Sequence, residues 1–347
     1  MNKKFIYNNE LIGIKELSMT TINDVAKKAE VSVSTVSKVL KNYPNISQKT
    51  RDKVMKVVDE LGYVPNAVAS ALSSKNFQRV ALWINVNDSK HQIDEVNMRY
   101  ITGAFEEADN KDISIIPIFS MMYKDKSADE LLRILKSQGV TGLVVFGITK
   151  NSKAIIEIIE RQAFHCVVVD APNVNEKTSS ITVDHYSAQY EVGKKMLVDH
   201  LCRKMLYIAG GKDGYVTDMR LAGIKRLQKE YGFELEIQYA DFKEKNAYEL
   251  THQYGMQVDC IACASDLMAI GALNALREMD IYCPVCGYDG IALMSYVKGG
   301  MYTVKQDFYA ISQTALYEVQ RLLQGGTGKN ILLDYEIIRP SYHDILK

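Results

Sequence analysis

From Arg79 onward, apolar runs of strand length alternate with segments of helical period, and no other feature constrains the fold as much. "RVALWINV", "SIIPIFS", "GLVVFGIT" and "HCVVVDA" read as buried strands, while "SADELLRILKSQ" and "KAIIEIIERQ" between them carry one apolar face each. After residue 180 the alternation resumes, with "KMLYIAG", "EIQYA", "VDCIACASD" and "YCPVCGYDG" as strands. "QYEVGKKMLVDHL", "RLAGIKRLQKEYG" and "LMAIGALNALREM" read as the helices of that half. Strands that are apolar throughout need cover on both faces, so these segments predict parallel α/β sheets with helices on either side. Some 260 residues of this pattern is long for one sheet and fits two lobes, about the limit for a single core.

The first 79 residues follow a different rule. Thr21 opens "TINDVAKKA" with Asp24 three positions later, an acidic capping box, and Ile22, Val25, Ala26 and Ala29 make one apolar face. In "VSVSTVSKVL", Val36, Val39 and Leu40 again share a face, with Ser32 as the cap. "KNYPN" breaks that helix, because Pro44 disfavours helical Tyr43. Ser47 starts a third helix with Val54, Val57, Val58 and Leu61 inward and Gly62 as its stop. Two short helices joined by "EVS" and followed by a third predict a helix-turn-helix domain.

The outer stripe of the second helix is small, polar and basic: Ser34, Ser37, Lys38 and Lys41. Such a stripe suits the major groove of DNA, where Ser pairs with several bases, Lys38 reaches guanine O6 and N7, and Val33 meets a thymine methyl. Thr21, Ser47 and Thr50 stand at helix starts, where hydroxyls and free backbone N–H groups suit phosphates. Charge agrees. Residues 1–79 hold 13 Lys+Arg against 7 Asp+Glu, a net +6, and the remainder is net −6 in a chain that is neutral overall. A basic head on an acidic body points to an anionic partner.

"TINDVAKKAEVSVSTVSKVLKNYPNISQKTRDKVMKVVDELGYVPNAVASAL" resembles, without a gap, the DNA-binding head and hinge of the lactose/galactose repressor (LacI/GalR) family of bacterial transcription regulators. The resemblance implies that Val33, Ser34 and Lys38 read bases. It also implies a hinge helix around Asn66 and Ala69 that folds on the operator and presses Leu72 into the minor groove, a known way to kink a base step. Ser70 departs from the Arg common in that family's hinge.

Further along, "MLYIAGG", "RLAGIKR", "CASDLMAIGALNAL" and "GYDG" resemble family landmarks in order. The resemblance implies a periplasmic-binding-protein-like body of two Rossmann-like lobes with a ligand cleft between them, where open α/β sheets take their ligands. Position by position it implies Arg220, Ser265, Asp266 and Asp289 as effector contacts. "NVNDSKHQ" and the shortened stretch before "GYDG" depart from the family near that cleft. A sugar or sugar phosphate is the expected effector class, with a purine next.

Other signals are weaker. "CIAC" and "CPVC", 19 residues apart, have the spacing of a four-Cys zinc site. Both pairs fall in apolar strands, so buried free thiols are expected instead. A disulfide framework is not expected in a chain without a secretory signal. Trp83 is expected in the core, with stacking on a sugar as the alternative. "GGKDG" lacks the full phosphate-loop spacing and reads as a cleft loop before Arg220. No nucleophile, metal or cofactor motif assembles, so no enzyme activity, cofactor or metal is expected.

The expected organisation is a tail over residues 1–18 (or an upstream start), a small all-α helix-turn-helix head over 19–63, a hinge and linker over 64–78, and the two-lobed α/β body over 79–347. The expected function is a cytoplasmic, ligand-controlled DNA-binding regulator, most readily a repressor, acting as a homodimer on a near-palindromic operator. A solute-binding protein, or a metal- or redox-sensing regulator using the paired Cys, are the alternatives.

Overall fold

The computed structural model describes residues 20–40, 43, 45–63, 78–85, 95–111, 113–297, 300–344 and 346. The chain divides into two compact units, one up to Phe77 and one from Gln78 onward.

The first unit is a three-helix domain: α1 (Ile22–Lys28), α2 (Val33–Leu40) and α3 (Gln48–Leu61). Thr21 and Asp24 form the reciprocal capping box, Ser47 caps α3, and Gly62 closes it in the left-handed conformation. Val25, Ala26, Ala29, Val36, Val39, Val54, Val57 and Val58 make the core. The packing of α2 between its neighbours overrides the weak helix propensity of its Val, Ser and Thr residues. The turn between α1 and α2 places Glu30 at φ 49°, and Lys53 pairs with its carboxylate at 3.1 Å.

The second unit holds two parallel sheets. In the first lobe β1 (Arg79–Ile84), β2 (Ser114–Phe119), β3 (Gly142–Phe146), β4 (His165–Val169) and β5 (Thr178–Val183) join a late strand, β11 (Asn330–Leu333), in the order β11-β5-β4-β3-β1-β2. Pro117 sits in β2, an edge strand, where a missing N–H is tolerated. Period-two alternation divides the strand residues between two cores. Leu82, Val144 and Val167 face α4 (Glu95–Lys111) and α11 (Phe308–Leu323), while Ala81, Leu143 and Val168 face α5 (Ala128–Ser137) and α6 (Lys153–Glu160). Trp83 lies in the second of these cores beside Tyr123, as expected.

The second lobe is a four-stranded sheet, β7-β6-β8-β9, from β6 (Lys204–Ala209), β7 (Glu234–Tyr239), β8 (Cys260–Cys263) and β9 (Val285–Cys286). Helices α7 (His185–Asp199), α8 (Tyr215–Tyr231), α9 (Glu244–Tyr254) and α10 (Asp266–Glu278) accompany it. The chain crosses between lobes after β5, after β10 (Thr303–Gln306) and after β11; β12 (Tyr335–Ile338) pairs antiparallel with β10.

Two expectations about cysteine are corrected. Cys202, in the turn before β6, and Cys260, at the start of β8, form a disulfide with Cα atoms 6.1 Å apart. Parallel pairing sets Met205 opposite Cys260, which brings the turn before β6 to the start of β8 within bridging distance. "CPVC" is also less of a strand than its apolar character suggests: only Val285 and Cys286 pair, and Cys283 lies ahead of them. Cys166, Cys263, Cys283 and Cys286 are free and buried. Among the described residues no group of three or more His, Cys, Asp or Glu is placed to hold a metal, and no helix is long and apolar enough to cross a membrane.

Candidate DNA-reading helix and effector cleft

In the head, α2 buries Val36 and Val39 and turns Ser32, Val33, Ser34 and Lys38 outward; Ser37 is half-buried on its flank. Val33 is 40% exposed, so its methyl groups are available on the outer face of α2. Ser32 caps the helix: its Oγ accepts from Thr35 N at 3.2 Å and shares protons with the hydroxyls of Ser34 and Thr35 at 2.8 Å. Thr21 is exposed, and its bonds to Asp24 hold that carboxyl below its ordinary pKa. Ser47 and Thr50 share a hydroxyl contact at 2.8 Å at the start of α3. Sequence reading missed Arg51, which donates to the carbonyls of Val39 and Tyr43 and so fixes the exit from α2. Asn66, Ala69 and Leu72 lie outside the described residues.

In the body a cavity of about 540 Å³ lies between the lobes. Its polar lining comes from the C-terminal ends of strands: Asn85 after β1, Asp170 after β4, Gly211 after β6, Asp241 after β7, Ser265 after β8 and Asp289 after β9. Backbone groups there are not consumed by the sheet, which is why such ends take ligands. "GGKDG" contributes Gly211, Asp213 and Gly214, as expected for a cleft loop.

Arg220 projects from α8 into this cavity and is 4% exposed. Its guanidinium carbon sits 3.6 Å from the centre of the Tyr288 ring. One Nη donates to the carbonyl of Ala264 at 2.5 Å and approaches Asp289 Oδ1 at 3.7 Å. Asp289 has φ 119° and accepts from Gln306 Nε2 at 3.2 Å. Ser265 lines the cavity while its Oγ caps α10.

Asp266 is placed differently from the other three. It is fully buried behind the cavity, where it accepts from the N–H groups of Gly290 and Ile291 and from the hydroxyl of Thr303. It therefore holds the turn that carries Asp289 instead of lining the cleft. Burial raises both carboxyls above the ordinary range; the charge of Asp289 adds to the rise at Asp266, and that of Asp170 to the rise at Asp289, which Arg220 partly offsets.

The cavity also gathers residues that sequence reading did not single out. Asp170, at φ 59°, accepts from Thr182 and is 2.9 Å from Nε2 of the buried His185. Burial opposes its ionisation, but electrostatic attraction to and a hydrogen bond from His185, the nearby Arg220 charge and the Thr182 hydrogen bond outweigh burial and lower its pKa. Asp241 and Phe242 are consecutive left-handed residues, at φ 52° and 58°. Such conformations cost of order 1–3 kcal/mol each, and the Phe242 ring lies against Gly210, where any Cβ would meet ring atoms at 2.0–2.6 Å. The signal available in advance was position: a charged residue ending an apolar strand, as in "HCVVVDA", and an aromatic just after one, as in "EIQYADF".

On two sides the lobes also touch directly. Thr149 bridges to Gly214, Lys150 N donates to Asp213 O, Asn151 bonds Asp213, and Lys150 pairs with Asp218. Elsewhere the Glu95 carboxylate accepts from Ala292 N at 2.8 and 3.0 Å.

Comparison with known proteins agrees with this architecture. Residues 21–66 match the family profile described as bacterial regulatory proteins, lacI family, and residues 195–339 match the periplasmic binding protein-like domain. The chain is 28% identical over 332 residues to the HTH-type transcriptional regulator RegA of Clostridium saccharobutylicum, covering 92% of this chain and 98% of that protein. To the HTH-type transcriptional regulator AscG of Escherichia coli (strain K12) it is 25% identical, over 89% and 93% of the two chains. The crystal structure of the lac repressor dimer bound to operator and the anti-inducer ONPF superposes with a TM-score of 0.78 at 24% identity, over 92% and 98%, and shares the fold. With a helix-turn-helix head matched by that profile and a two-lobed body matched by the binding-protein one, the chain belongs to the LacI family of bacterial transcription regulators.

Proposed function

We propose that this regulator is a cytoplasmic homodimer that represses from a near-palindromic operator, and that an uncharged sugar bound between its lobes controls its affinity for DNA. Two copies of α2 would read half-sites about one helical turn apart. Val33, Ser34, Ser37 and Lys38 would meet bases, and Thr21, Ser32, Ser47 and Thr50 phosphates. Asn66, Ala69 and Leu72 would form the hinge contact in the minor groove. The domain boundaries proposed are 19–63 for the head, 64–78 for the hinge and 79–347 for the body.

The observation that carries the effector class is the charge of the cleft wall. Asp170, Asp213 and Asp241 outnumber Arg220 and Lys243, and Asp289, raised to about 7 by burial, adds a partial charge of the same sign. The Arg220 guanidinium is itself engaged by Tyr288, Ala264 and Asp289. A phosphate would enter against that excess of carboxylates, whereas sugar hydroxyls can donate to Asp289 and Asp170 and accept from Arg220. Phe242 offers an aromatic face for the apolar side of a pyranose ring. Ser265 and Arg220 would set its orientation, with Asp266 acting through the Asp289 turn.

Ligand bound to both lobes would favour one lobe arrangement and bias the DNA-binding equilibrium, typically by ~1–3 kcal/mol. Thermal-shift measurement of the full chain against neutral sugars and their phosphates tests this. A ligand at ~100 times its dissociation constant adds about 2.7 kcal/mol of stability. Shifts with neutral sugars that Arg220→Ala abolishes support the reading. Shifts only with phosphorylated sugars, or shifts that survive Arg220→Ala, overturn it.

A further inference from the structure

His185 is the first residue of α7, separated from β5 by the capping Asp184 alone, at the first crossing between the lobes. It is completely buried. Its ring nitrogens each meet a different lobe: Nε2 is 2.9 Å from Oδ1 of Asp170, which ends β4, and Nδ1 is 2.8 Å from the Tyr288 hydroxyl and 3.4 Å from an Nη of Arg220. The direction of these bonds is determined by chemistry. A guanidinium has no acceptor, so its 3.4 Å approach favours an unprotonated Nδ1, whose single lone pair accepts from the Tyr288 hydroxyl at 2.8 Å. The ring proton then belongs on Nε2, where the Asp170 carboxylate accepts it.

We propose that His185 is a positioning residue of the cleft: a neutral imidazole, protonated on Nε2, that holds Asp170 of one lobe and Arg220 of the other in the arrangement the effector requires. The proposal rests on the reading of the cleft as the effector site. A residue here must present a donor to one lobe and an acceptor to the other at a fixed separation, and the rigid imidazole ring does both. The charged and titratable groups facing it are Asp170 from β4, Asp184 at the start of α7, Arg220 from α8 and Tyr288 after β9. Burial, reinforced by Arg220 and opposed by Asp170, lowers the pKa of His185, which keeps the ring neutral. Protonation at low pH would turn Nδ1 from acceptor to donor and set N–H against the Arg220 guanidinium. Ligand affinity should therefore fall with pH below the ordinary histidine range.

Two measurements on the full chain test this. The first needs no ligand: ring ¹⁵N resonances of labelled protein, with His185 assigned by comparison with His185→Gln. The result expected is a neutral ring protonated on Nε2 at about pH 7; an Nδ1-protonated or doubly protonated ring overturns the proposal.

The second is calorimetric titration with D-glucose, D-galactose, cellobiose and maltose as probes. His185→Gln keeps one donor and one acceptor but does not titrate, so it should bind within a few-fold of wild type and lose the His185 part of the acid-side fall in affinity, keeping the part that Asp289, raised to about 7, contributes in both proteins. His185→Leu should lose about tenfold or more in affinity at neutral pH. Equal binding by the Leu variant, or an unchanged pH profile in the Gln variant, overturns the positioning role. If no probe binds the wild type, it is the sugar reading of the cleft that fails, and the ring spectrum alone decides the state of His185.

Discussion

Arg220 sits over the ring of Tyr288, with the guanidinium carbon 3.6 Å from the ring centre. This contact orients the fork and leaves its edge for Ala264, Asp289 and the cavity. A lysine carries the charge but neither the plane nor the fork. Arg220→Lys should therefore lose ligand affinity nearly as completely as Arg220→Ala, by more than about tenfold, since stacked and forked contacts are worth ~1–3 kcal/mol together. Calorimetry on the two variants checks this; Lys retaining wild-type affinity would mean that charge alone matters.

Asp289, 3.7 Å from the same guanidinium, is held there at a stability cost. Its folded-state pKa is raised above the unfolded value, with burial as the main cause. The native state therefore binds more protons than the unfolded chain above the ordinary carboxylate range, and stability falls as pH rises through that window. Asp289→Asn removes this cost while keeping an acceptor for Gln306. The variant should melt higher than wild type near neutral pH, with the gain vanishing at about pH 4, and should bind effector poorly. Melting curves across pH check the sign; a gain that grows toward acid would contradict it.

Lys150 and Asp218 join the lobes across one side of the cleft, and both side chains are substantially exposed. An exposed pair contributes only ~0–1 kcal/mol to folding, so Asp218→Asn should leave the melting temperature nearly unchanged. Lobe closure is a smaller equilibrium than folding and should respond more. The variant should bind ligand more weakly at low salt, with the difference shrinking as salt rises. A salt-independent difference would point to packing instead.

The Cys202–Cys260 bond closes a sequence separation of 58 residues. Cross-links over loops of this length typically stabilise by ~2–4 kcal/mol. Reductant should lower the melting temperature of the wild type by several degrees, and Cys202→Ser should melt at that lower temperature with or without reductant. Wild-type melting that ignores reductant would show that the bond does not form in solution.

In the head, Lys38 is exposed on α2 with Val36 and Val39 buried behind it. Lys38→Ala combined with Ser34→Ala should change base preference at one or two positions of each half-site, by ~1–3 kcal/mol per position. The helices should remain, because neither residue belongs to the core. Binding selections with the two proteins compare the preferences directly.

The strand and helix alternation made β1 to β4 of the first sheet and the strands of the second legible, whereas β5, "TSSITV", and β11 lack a continuous apolar run and were not read. Which strands pair was not legible: β11, late in the chain, adds to the first sheet beside β5, a contact between residues about 150 positions apart in sequence. Asp266 shows the limit at the site. Its place in "CASDLM" beside Ser265 suggested a ligand contact, yet the turn of Gly290 and Ile291 closes over it and takes its oxygens. His185 was missed for the opposite reason. Nothing in "TVDHYS" tells that Asp170 and Tyr288, distant in sequence, converge on its two nitrogens. The disulfide was missed because compartment was used as the guide to cysteine chemistry, whereas the register of β6 against β8 brings the two residues together.

The central claim, a DNA-binding regulator governed from its cleft, is tested most directly by titrating DNA with the full chain in the presence and absence of a neutral sugar that stabilises it. The DNA would be a sequence enriched from a random pool by the same protein. The account predicts a near-palindromic sequence whose affinity changes by about fivefold or more on adding the sugar, in either direction, and a change that Arg220→Ala removes. A sequence bound equally tightly with and without every sugar that stabilises the body would contradict it.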